Sequence, residues 1–517
     1  MFRAFRNIGR LLSIGRTLAR HDALFPLAHM GLSPRFIGLV RRLAGLGAKS
    51  PENLAEMRPG ERLTAALQSL GPSFIKLGQA LSVRSDLVGE ELADDLSALQ
   101  DRLPPFPGDQ AVATIEQEFG QPLTEIFSSF DETPVAAASI AQVHFATTQD
   151  GNDVAVKILR PGIEQAFAID LDLLRWIAEK AERLVPATRR LRPMEVIETL
   201  AKTVAEEMDL RLEAAAGDEL RANFEGDEAF RVPAMDWLRT GRRVLTLERF
   251  AGIPVDEVSA LEQAGHDAEA LVANMARSFF LQVFRDGFFH ADLHPGNILV
   301  AEDGAIQALD FGIMGRIDKR TRLYLAEMLI GFLTADYAKV AAVHFRAGYV
   351  PATQSEEAFA QAARSIAEPI MGRPLKDISL ARLLAQLFLV TERFHMPAQP
   401  HLLLLQKTML VAEGVGRRLY PDTNMWELAR PLIESWMEEA LTPEARAAEA
   451  MAEAGKLLER LPDLLVDMTG SVSTLTRDGL KLHPDTLAAF GGSRKAHPRW
   501  PYWAGAALVA AGVIAVL

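Results

Sequence analysis

Three side chains suited to acid–base chemistry and metal binding lie close together in one stretch of the chain. Asp292 and Asn297 are five positions apart, and Asp310 follows Asn297 by thirteen positions and opens an Asp-Phe-Gly sequence. Residues 298–309 alternate between apolar and polar side chains on either side of Asp303-Gly304, which predicts a β-hairpin with a tight turn. Such a hairpin would bring Asn297 and Asp310 together, so that their amide and carboxylate oxygens could hold one metal ion.

This spacing resembles the catalytic and metal-binding loops of protein-kinase-like enzymes, in which H-R-D-L-x-x-x-N is followed by a short hairpin and D-F-G. Phosphoryl transfer requires a carboxylate beside the acceptor, and an amide oxygen and a second carboxylate that hold Mg²⁺ against the phosphates. The resemblance implies that Asp292 is catalytic and that Asn297 and Asp310 are the metal ligands. An isolated D-F-G is usually only a turn, but its distance from H-A-D-L-H-P-G-N favours the kinase-like interpretation.

Two features differ from those of protein kinases. Ala291 stands where many protein kinases have the arginine that docks a phosphorylated activation segment. After Gly312, only Ile-Met-Gly-Arg-Ile precedes Asp318 and a long helical pattern, and no A-P-E sequence follows. The chain therefore has little room for a peptide-docking platform, and the motif fits a small-molecule kinase better.

The composition excludes several classes of function. The chain has 517 residues, enough for two or three units with cores of their own. Its 55 basic and 68 acidic residues give a net charge of −13, which argues against a nucleic-acid partner because such surfaces need a basic excess. The absence of cysteine excludes disulfides, thiolate zinc sites and a cysteine nucleophile.

The chain begins with a basic, amphipathic pattern. Between Met1 and Ala23, five arginines precede the first acidic residue, Asp22, and the apolar side chains fall on one side of a helical wheel. This pattern fits an interfacial helix on anionic lipid, and it fits equally a surface helix that packs on the domain. A transit peptide is a third alternative.

A second helical region begins at Ser50-Pro51 and ends in the proline-rich stretch 103–108. It contains Lys76, Gly78 and Gln79 in the sequence K-L-G-Q. From local chemistry alone, Lys76 and Gln79 are a solvated pair one helical turn apart. A glycine in a helix interior costs about 1 kcal/mol relative to alanine, so Gly78 indicates that a backbone or a ligand approaches closely there.

Two alternating segments, Pro134–Thr148 and Asp153–Leu159, predict adjacent antiparallel strands. Lys157 lies on the second strand, where an isolated lysine would usually be a charge on the surface of the sheet. In Val-Ala-Val-Lys after a phosphate loop, it matches the kinase lysine that pairs with the α- and β-phosphates of the nucleotide.

Several motifs together resemble the UbiB-type atypical kinase family. They are K-L-G-Q-A-L-S-V-R-S-D-L from Lys76, A-A-A-S-I-A-Q-V-H from Ala136, V-A-V-K from Val154 and the H-A-D-L-H-P-G-N loop, and they occur in family order. The resemblance implies a two-lobed, protein-kinase-like α+β fold with an N-terminal helical extension and a C-terminal membrane segment. The expected divisions are a helical, interfacial segment (1–50), the K-x-G-Q extension (51–108), an N-lobe (109–250), a C-lobe (251–440), a helical extension and linker (441–493) and a membrane tail (500–517).

The resemblance also assigns the remaining site residues. It implies that Lys157 pairs with Glu213 and that Glu248, at the hinge between the lobes, and an alanine-rich loop bind the nucleotide. The loop residues are Val135, Ala136, Ala137, Ala138, Ser139, Ile140, Ala141, Gln142 and Val143. It further implies that Lys76, Gly78 and Gln79 cap the active site, with the ammonium of Lys76 facing Glu207 and Asp209.

Local chemistry alone leaves other interpretations of these residues open. The Cβ atoms of Ala136, Ala137 and Ala138 resist the close phosphate contact that glycines allow, so the cradle must differ in shape, or the alanines simply pack in a corner of the sheet. The helical stretch 193–224 carries Glu207, Asp209 and Glu213, which we call the acidic motif. Acidic residues on a helix are normally solvated.

By resemblance, the protein is an atypical kinase or ATPase that uses ATP and Mg²⁺ and supports ubiquinone (coenzyme Q) biosynthesis. The expected partners are membrane lipids, prenylated quinone precursors and other ubiquinone-biosynthesis proteins. The sequence is also compatible with a homodimer. One alternative is a nucleotide-sensing scaffold for a biosynthetic complex. Another is a polyprenylphenol hydroxylase component, for which the sequence has no flavin fingerprint, metal-ligand histidine pair or haem-ligand pattern.

The C-terminal sequence indicates attachment to a membrane. Basic residues and Trp500, Tyr502 and Trp503 precede an uncharged run that continues to Leu517. The 16 residues from Tyr502 would extend about 24 Å as a helix, against roughly 30 Å of hydrocarbon. A thin span, a shallow insertion and a buried core helix are all compatible with this length. We expect a membrane-associated protein at the cytoplasmic face of a bacterial inner membrane.

Overall fold

The computed structural model describes residues 2–23, 57–82, 89–97, 99, 104–184, 193–369, 389–396, 399–423 and 425–440. The chain divides into two compact units, Met1–Trp436 and Met437–Leu517. The architecture below is that of the first unit.

Three short helices form the core of the N-terminal extension. They are α2 (Pro59–Leu70), α3 (Pro72–Ser82) and α4 (Glu90–Ser97). Gly71 separates α2 from α3 with a φ of +103°, which glycine adopts without the steric cost that a Cβ would impose. Leu67, Phe74 and Leu96 pack in one buried cluster, so the helices are held together by their apolar sides.

The N-terminal helix α1 (Phe2–Arg20) packs on this extension. Ile14 of α1 joins the same buried cluster. The guanidinium of Arg10 lies 2.8 Å from the buried carboxylate of Asp170, on the long helix α7 (Ile163–Leu184). These contacts are those of a surface helix that packs on the domain, one of the two main interpretations that the sequence left open.

A five-stranded antiparallel sheet forms the smaller lobe. Helices α5 (Gly108–Phe119) and α6 (Leu123–Ile126) precede it. Its strands are β1 (Phe127–Phe130), β2 (Ala136–Ala137), β3 (Ala141–Thr148), β4 (Asp153–Leu159) and β6 (Val244–Glu248), in the order β1-β3-β4-β6 with β2 beside β3. Val154, Val156 and Ile158 pack into the core under α5, so the alternation along β4 directs Lys157 to the opposite face.

Two helices beside this sheet carry the acidic motif. The sequence indicated one helical stretch from Pro193 to Phe224, but the structure divides it into α8 (Pro193–Glu207) and α9 (Leu210–Asn223). The first helix ends at Glu207, and Asp209 caps the second, because its carboxylate accepts a hydrogen bond from the backbone N–H of Arg211. Glu207 and Glu213 therefore belong to different helices.

A second sheet lies in the larger lobe, and it corrects one sequence prediction. Its strands are β5 (Phe230–Arg231), β7 (Ile253–Pro254), β9 (Ile298–Val300) and β10 (Ile306–Ala308), in the order β5-β10-β9-β7. The prediction of two further strands at 230–236 and 242–250 was right for the second, β6. The first is only the two-residue β5, which pairs in parallel with β10, and Met235 adds an isolated bridge to Leu247 before a 3₁₀ turn.

The hairpin predicted between Asn297 and Asp310 is confirmed. Strands β9 and β10 are antiparallel, with Ile298 opposite Ala308. The turn contains Gly304 at a φ of +84°, and its N–H donates to the carbonyl of Ala301 at 2.9 Å. The catalytic loop follows β8 (Phe288–His290). This strand pairs antiparallel with β11 (Met314–Arg316), which comes after the metal-binding loop.

Helices make up the rest of the larger lobe. They are α10 (Val258–Gln263), α11 (Ala268–Phe280), which continues as a π-helical turn (Leu281–Asp286), α12 (Lys319–Leu333), α13 (Tyr337–Arg346), α14 (Glu356–Ala367), α15 (Pro400–Leu419) and α16 (Met425–Ala440). The helical pattern that the sequence showed over 321–347 is interrupted where Ala335 adopts a φ of +55° and Asp336 caps α13.

Several predictions lie outside the described residues. They include most of the helix expected over 380–394, the extension and linker 441–493 and the tail 500–517. Among the helices that the structure describes, none combines the length and the apolar character that crossing a bilayer would need.

Candidate active site

An ion cluster joins the two lobes at the centre of the site. The Nζ atom of Lys157 lies 2.7 Å and 3.0 Å from the two carboxylate oxygens of Glu213, and 3.1 Å from Oδ1 of Asp310. The side chains of Lys157 and Glu213 are only 12% and 8% exposed. Strand β4, helix α9 and the metal-binding loop thus meet at one ammonium, and the pairing of Lys157 with Glu213 that the resemblance implied is present.

One ammonium shared by two carboxylates leaves an uneven charge balance. Burial raises the pKa of Glu213, Lys157 counteracts this, and Asp310 adds to the increase, so the pKa of Glu213 is about 7. Burial also acts to raise the pKa of Asp310, but the charge of Lys157 outweighs it and holds that pKa below its usual range. Burial lowers the pKa of Lys157 less than the two carboxylates raise it, so its pKa lies above the usual range.

Helix α9 can reach Lys157 because Gly217 has no side chain. A Cβ atom at Gly217 would lie 2.8 Å from the ring of Phe311 and 2.3 Å from the methyl group of Met235. Gly217 is one helical turn after Glu213, and Phe311 follows Asp310 directly. The close packing of α9 on Phe311 therefore sets the distance between Glu213 and the metal-binding loop.

A buried histidine connects the catalytic loop to the metal-binding loop. Nε2 of His290 lies 3.0 Å from the carbonyl oxygen of Leu309, and Nδ1 accepts a hydrogen bond from the backbone N–H of Asp292 at 3.2 Å. These two bonds require a neutral ring with the proton on Nε2, in agreement with the pKa of His290, which burial lowers. The ring also contacts Phe311 edge-on, with centroids 5.7 Å apart.

The proposed metal ligands Asn297 and Asp310 are held next to each other by backbone hydrogen bonds. The N–H of Leu309 donates to the carbonyl of Asn297 at 2.8 Å, and the side-chain amide of Asn297 donates to the carbonyl of Asp292 at 3.1 Å. Within the described residues, Oδ1 of this buried asparagine accepts no hydrogen bond. Asp310 adopts a φ of +57°, a conformation that is strained for a residue with a Cβ and that recurs at functional sites. An amide oxygen and a carboxylate are the types of ligand that a hard divalent cation binds.

Asp292 is half-buried and has a partner that the sequence did not reveal. Its Oδ1 lies 3.4 Å from Nζ of Lys407, on α15. Ala291 is 1% exposed, and its carbonyl accepts a hydrogen bond from the hydroxyl of Thr408 on the same helix. An arginine at position 291 would have no space under α15, which explains why alanine replaces it. Lys407 and Thr408 gave no signal in the sequence because they fit an ordinary helical pattern.

The alanine-rich loop forms a narrow corner at the edge of the smaller lobe. Ala136 and Ala137 pair with β3, and the guanidinium of Arg160 donates to the carbonyl of Ala138 at 2.8 Å. Ser139 is fully buried, and its hydroxyl has no hydrogen-bond partner in the described structure. Val135 is exposed and Ala141 is buried, so the predicted loop residues do not share one accessible surface.

Gln142 and Glu248 contact other parts of the chain. The side-chain amide of Gln142 binds both backbone groups of Phe106, at 3.0 Å and 3.2 Å, and thereby ties the segment before α5 to β3. The carboxylate of Glu248 accepts a hydrogen bond from the N–H of Ala234 at 3.1 Å. The side chain of Gln142 is therefore engaged within the chain, and a contact between this residue and a nucleotide stays a prediction.

An ion pair connects the K-x-G-Q motif to the end of α8. Nζ of Lys76 lies 2.9 Å from Oε2 of Glu207, and both side chains are nearly buried. Asp209, expected beside them, instead binds Arg211 at 2.6 Å, because a partner two positions along the chain is already within reach. The amide of Gln79 donates to the carbonyl of Leu99 at 3.4 Å, within the extension.

The close contact that Gly78 indicated is made by side chains. A Cβ atom at Gly78 would lie 2.2 Å from Leu99 and 2.9 Å from Leu67. Gly78 is therefore explained by the packing of the extension on itself, rather than by a backbone or a ligand across the cleft.

The raised pKa of Glu213 predicts a specific pH dependence of stability. Without nucleotide and Mg²⁺, the folded protein keeps a proton on Glu213 up to a pH of about 7, whereas the unfolded chain releases it near 4.5. The Glu213 contribution to the free energy of unfolding is therefore fully present below pH 4.5 and is lost as the pH rises to about 7, with an upper limit of roughly 3 kcal/mol. Urea unfolding across this range measures it.

Glu213→Gln serves as the reference for this measurement. Burial lowers the pKa values of His290 and His344, so these residues change stability in the opposite sense over part of the same range. Glutamine keeps a neutral side chain of similar size, and the difference between the two proteins isolates Glu213. A difference that stays constant with pH would contradict the raised pKa.

Comparisons with known proteins agree with this architecture. Residues 98–344 match the ABC1 atypical kinase-like domain, and residues 363–424 match the UbiB helical domain. A "Probable protein kinase UbiB" from Pseudomonas entomophila (strain L48) is 40% identical over 99% of both chains. A protein of the same name from Pseudomonas putida (strain W619) is 45% identical over 80% of this chain and 77% of its own.

The chain is also similar to a solved structure. It is described as the complex structure of Rv3197-erythromycin from Mycobacterium tuberculosis, and it is 28% identical, with a TM-score of 0.48 over 69% of this chain and 90% of that chain. This structural similarity is too low to carry a conclusion about fold. The family is shown by the two matched domains and by a relative that is 40% identical along nearly the whole sequence. The chain belongs to the UbiB family of ABC1 atypical kinase-like proteins.

Proposed function

We propose that the protein binds ATP with Mg²⁺ between its lobes and transfers the γ-phosphoryl group to a small or lipid-derived acceptor, or to water. The observation that carries this proposal is the cluster of Lys157, Glu213 and Asp310, with Asn297 held beside it by Leu309. A lysine fixed by a helix carboxylate and positioned beside a loop aspartate is the arrangement that protein-kinase-like enzymes need for catalysis.

The site residues divide the work of the reaction. Asn297 and Asp310 would hold Mg²⁺, which, when bound, offsets the negative charge of the phosphates. Lys157 would turn from Asp310 toward the α- and β-phosphates while Glu213 keeps it in place. As the oxygen of the acceptor bonds to the γ-phosphorus and the bond to the departing ADP breaks, Asp292 receives the proton of the acceptor.

The loop after the metal ligands favours a small acceptor. Strand β11 follows Gly312 almost directly, and α12 begins at Lys319 with Asp318 as its cap. This described segment is too short to form the platform on which a protein kinase holds a peptide. The family resemblance and the relatives named UbiB support a role in ubiquinone biosynthesis, in which prenylated precursors in the membrane would be the relevant molecules.

Two aspartate substitutions separate binding from turnover. Asp310→Asn should abolish the Mg²⁺-dependent rise in melting temperature with ATP, because Asp310 supplies the negative charge of the proposed ligand pair and an amide is neutral. Asp292→Asn should retain that rise and lose at least about 100-fold in turnover, the usual contribution of a general base. Thermal shift and phosphate release measure the two effects.

The same variants test the pathway and the scaffold alternative. In a deletion strain, Asp292→Asn should fail to restore ubiquinone, and an early prenylated precursor should accumulate. Full restoration by Asp292→Asn together with failure of Asp310→Asn would instead identify a nucleotide-sensing scaffold. If both variants retain the thermal shift equally, the assignment of the metal ligands is wrong.

We further propose that Lys76 links the extension to catalysis. Glu207 ends α8, and only two residues separate it from α9, which carries Glu213. Loss of a nearly buried ion pair costs roughly 3 kcal/mol. If half of this free energy is lost from nucleotide binding or catalysis because α9 shifts, Lys76→Ala should change the nucleotide dissociation constant or the turnover by about tenfold.

Lys202→Ala is the matched control for Lys76→Ala. Lys202 lies on α8 and forms a pair with Glu206 at 3.9 Å, but its side chain is 80% exposed. An exposed pair contributes about 0.5 kcal/mol or less, so this variant should behave as wild type. Equal behaviour of the two variants in binding, hydrolysis and complementation would reduce Lys76 to a structural residue.

We propose that the sequence 500–517 attaches the protein to the cytoplasmic face of the inner membrane. Its aromatic residues and its uncharged run support this location. Deletion of Trp500–Leu517 should move most of the protein from the membrane pellet to the supernatant after cell lysis. Unchanged fractionation would transfer the anchoring role to α1, with its basic amphipathic sequence.

A further inference from the structure

Helix α15 contacts the catalytic loop although it lies outside the kinase-like domain. The kinase-like match ends at residue 344, whereas α15 belongs to the UbiB helical domain, 363–424. Thr408, which is fully buried, donates one hydrogen bond to the carbonyl of Ala291 and lies 2.9 Å from the carbonyl of Leu404. This contact fixes the position of α15 directly beside Asp292.

Lys407 precedes Thr408 and brings a positive charge to the catalytic carboxylate. Its Nζ lies 3.4 Å from Oδ1 of Asp292, with side chains that are 40% and 28% exposed. Within the described structure, Lys407 is the one cation paired with Asp292. The second lysine of the site, Lys157, is bound to Glu213 and Asp310 instead.

We propose that Lys407 is a positioning residue for Asp292, supplied by the helical domain, and this inference rests on the proposed phosphoryl transfer. Asp292 must face an anionic phosphoryl group while it receives the proton of the acceptor, and like charges repel. An ammonium in contact with one oxygen of the carboxylate offsets that repulsion and holds the side chain of Asp292 in place. The helical domain thus completes a site that the kinase-like domain forms only in part.

The geometry separates this role from nucleotide binding. Lys407 contacts Asp292, whereas Lys157, Asn297 and Asp310 are the groups assigned to ATP and Mg²⁺. A residue that acts through Asp292 should therefore change kcat and leave the KM for ATP nearly constant. A residue needed only for the fold would lower the melting temperature and affect both constants.

The test compares four substitutions in the full-length protein by steady-state ATP turnover. Lys407→Met, which keeps the length of the side chain and removes its charge, should lower kcat about 10- to 100-fold with KM for ATP changed less than about threefold. Lys407→Arg should keep kcat within about fivefold of the wild-type value. It retains the positive charge beside Asp292, although a guanidinium differs in shape from an ammonium. Lys407→Gln is a second neutral variant if the methionine variant fails to fold.

Arg418→Met is the matched control, since it removes one exposed positive charge from the same helix, in its last turn. It should leave kcat as in wild type. A kcat for Lys407→Met equal to that of wild type, or equal losses in Lys407→Met and Arg418→Met, overturns the inference.

A double substitution shows whether Lys407 acts through Asp292. In the Asp292→Asn background, Lys407→Met should lower the residual kcat by less than about twofold, because the carboxylate that it positions is already gone. Losses that multiply would mean that Lys407 acts independently, and would overturn the inference while leaving the proposed function intact. A wild-type protein with no turnover at all would overturn the proposed function and this inference with it.

Discussion

The ammonium of Lys157 is the constraint on which the arrangement of the site depends. It is nearly buried and must be matched by negative charge, which Glu213 and Asp310 supply from two different elements. Both carboxylates bind the same ammonium, so strand β4, helix α9 and the metal-binding loop are held in one relative position. The contact of Gly217 with Phe311 makes that position sterically possible.

The same arrangement explains how a kinase-like site is kept in order without an activation segment. In protein kinases, phosphorylation of that segment orders the catalytic loop through an arginine. Here Ala291 is buried under α15, and Thr408 binds its carbonyl. His290 ties the loop to Leu309 from the other side. Fixed packing therefore replaces a switch, which suits an enzyme or ATPase whose activity is set by something other than phosphorylation of this loop.

The N-terminal extension adds a further fixed contact. Lys76 and Glu207 connect it to the end of α8, and Gln142 connects Phe106, at the end of the extension, to the sheet that carries Lys157. Both contacts are made by polar groups with little exposure to solvent, where an unmatched partner is costly. The extension is thereby coupled to α8 and to β3, the two elements that flank the cluster at Lys157 and Glu213.

The sequence by itself determined the parts of the site that depend on short-range geometry. The spacing of Asn297 and Asp310 and the turn at Gly304 define a hairpin, because such turns require only a few neighbouring residues. The alternation along β4 likewise determined the face on which Lys157 lies. The partner of Lys157, 56 positions away, was accessible only through a family resemblance, since many acidic residues on helices look alike.

Tertiary structure alone decided which of several chemically equivalent side chains meet. Glu207 and Asp209 were both expected to face Lys76, but only Glu207 pairs with it, and Asp209 pairs with Arg211 in the helix that follows. Gly78 indicated a close neighbour, but only the packed extension showed that the neighbour is a leucine. Lys407 reaches Asp292 across 115 positions, from a helix whose pattern is that of any amphipathic helix. Local sequence carries no information about such contacts, because they depend on how separate elements pack against one another.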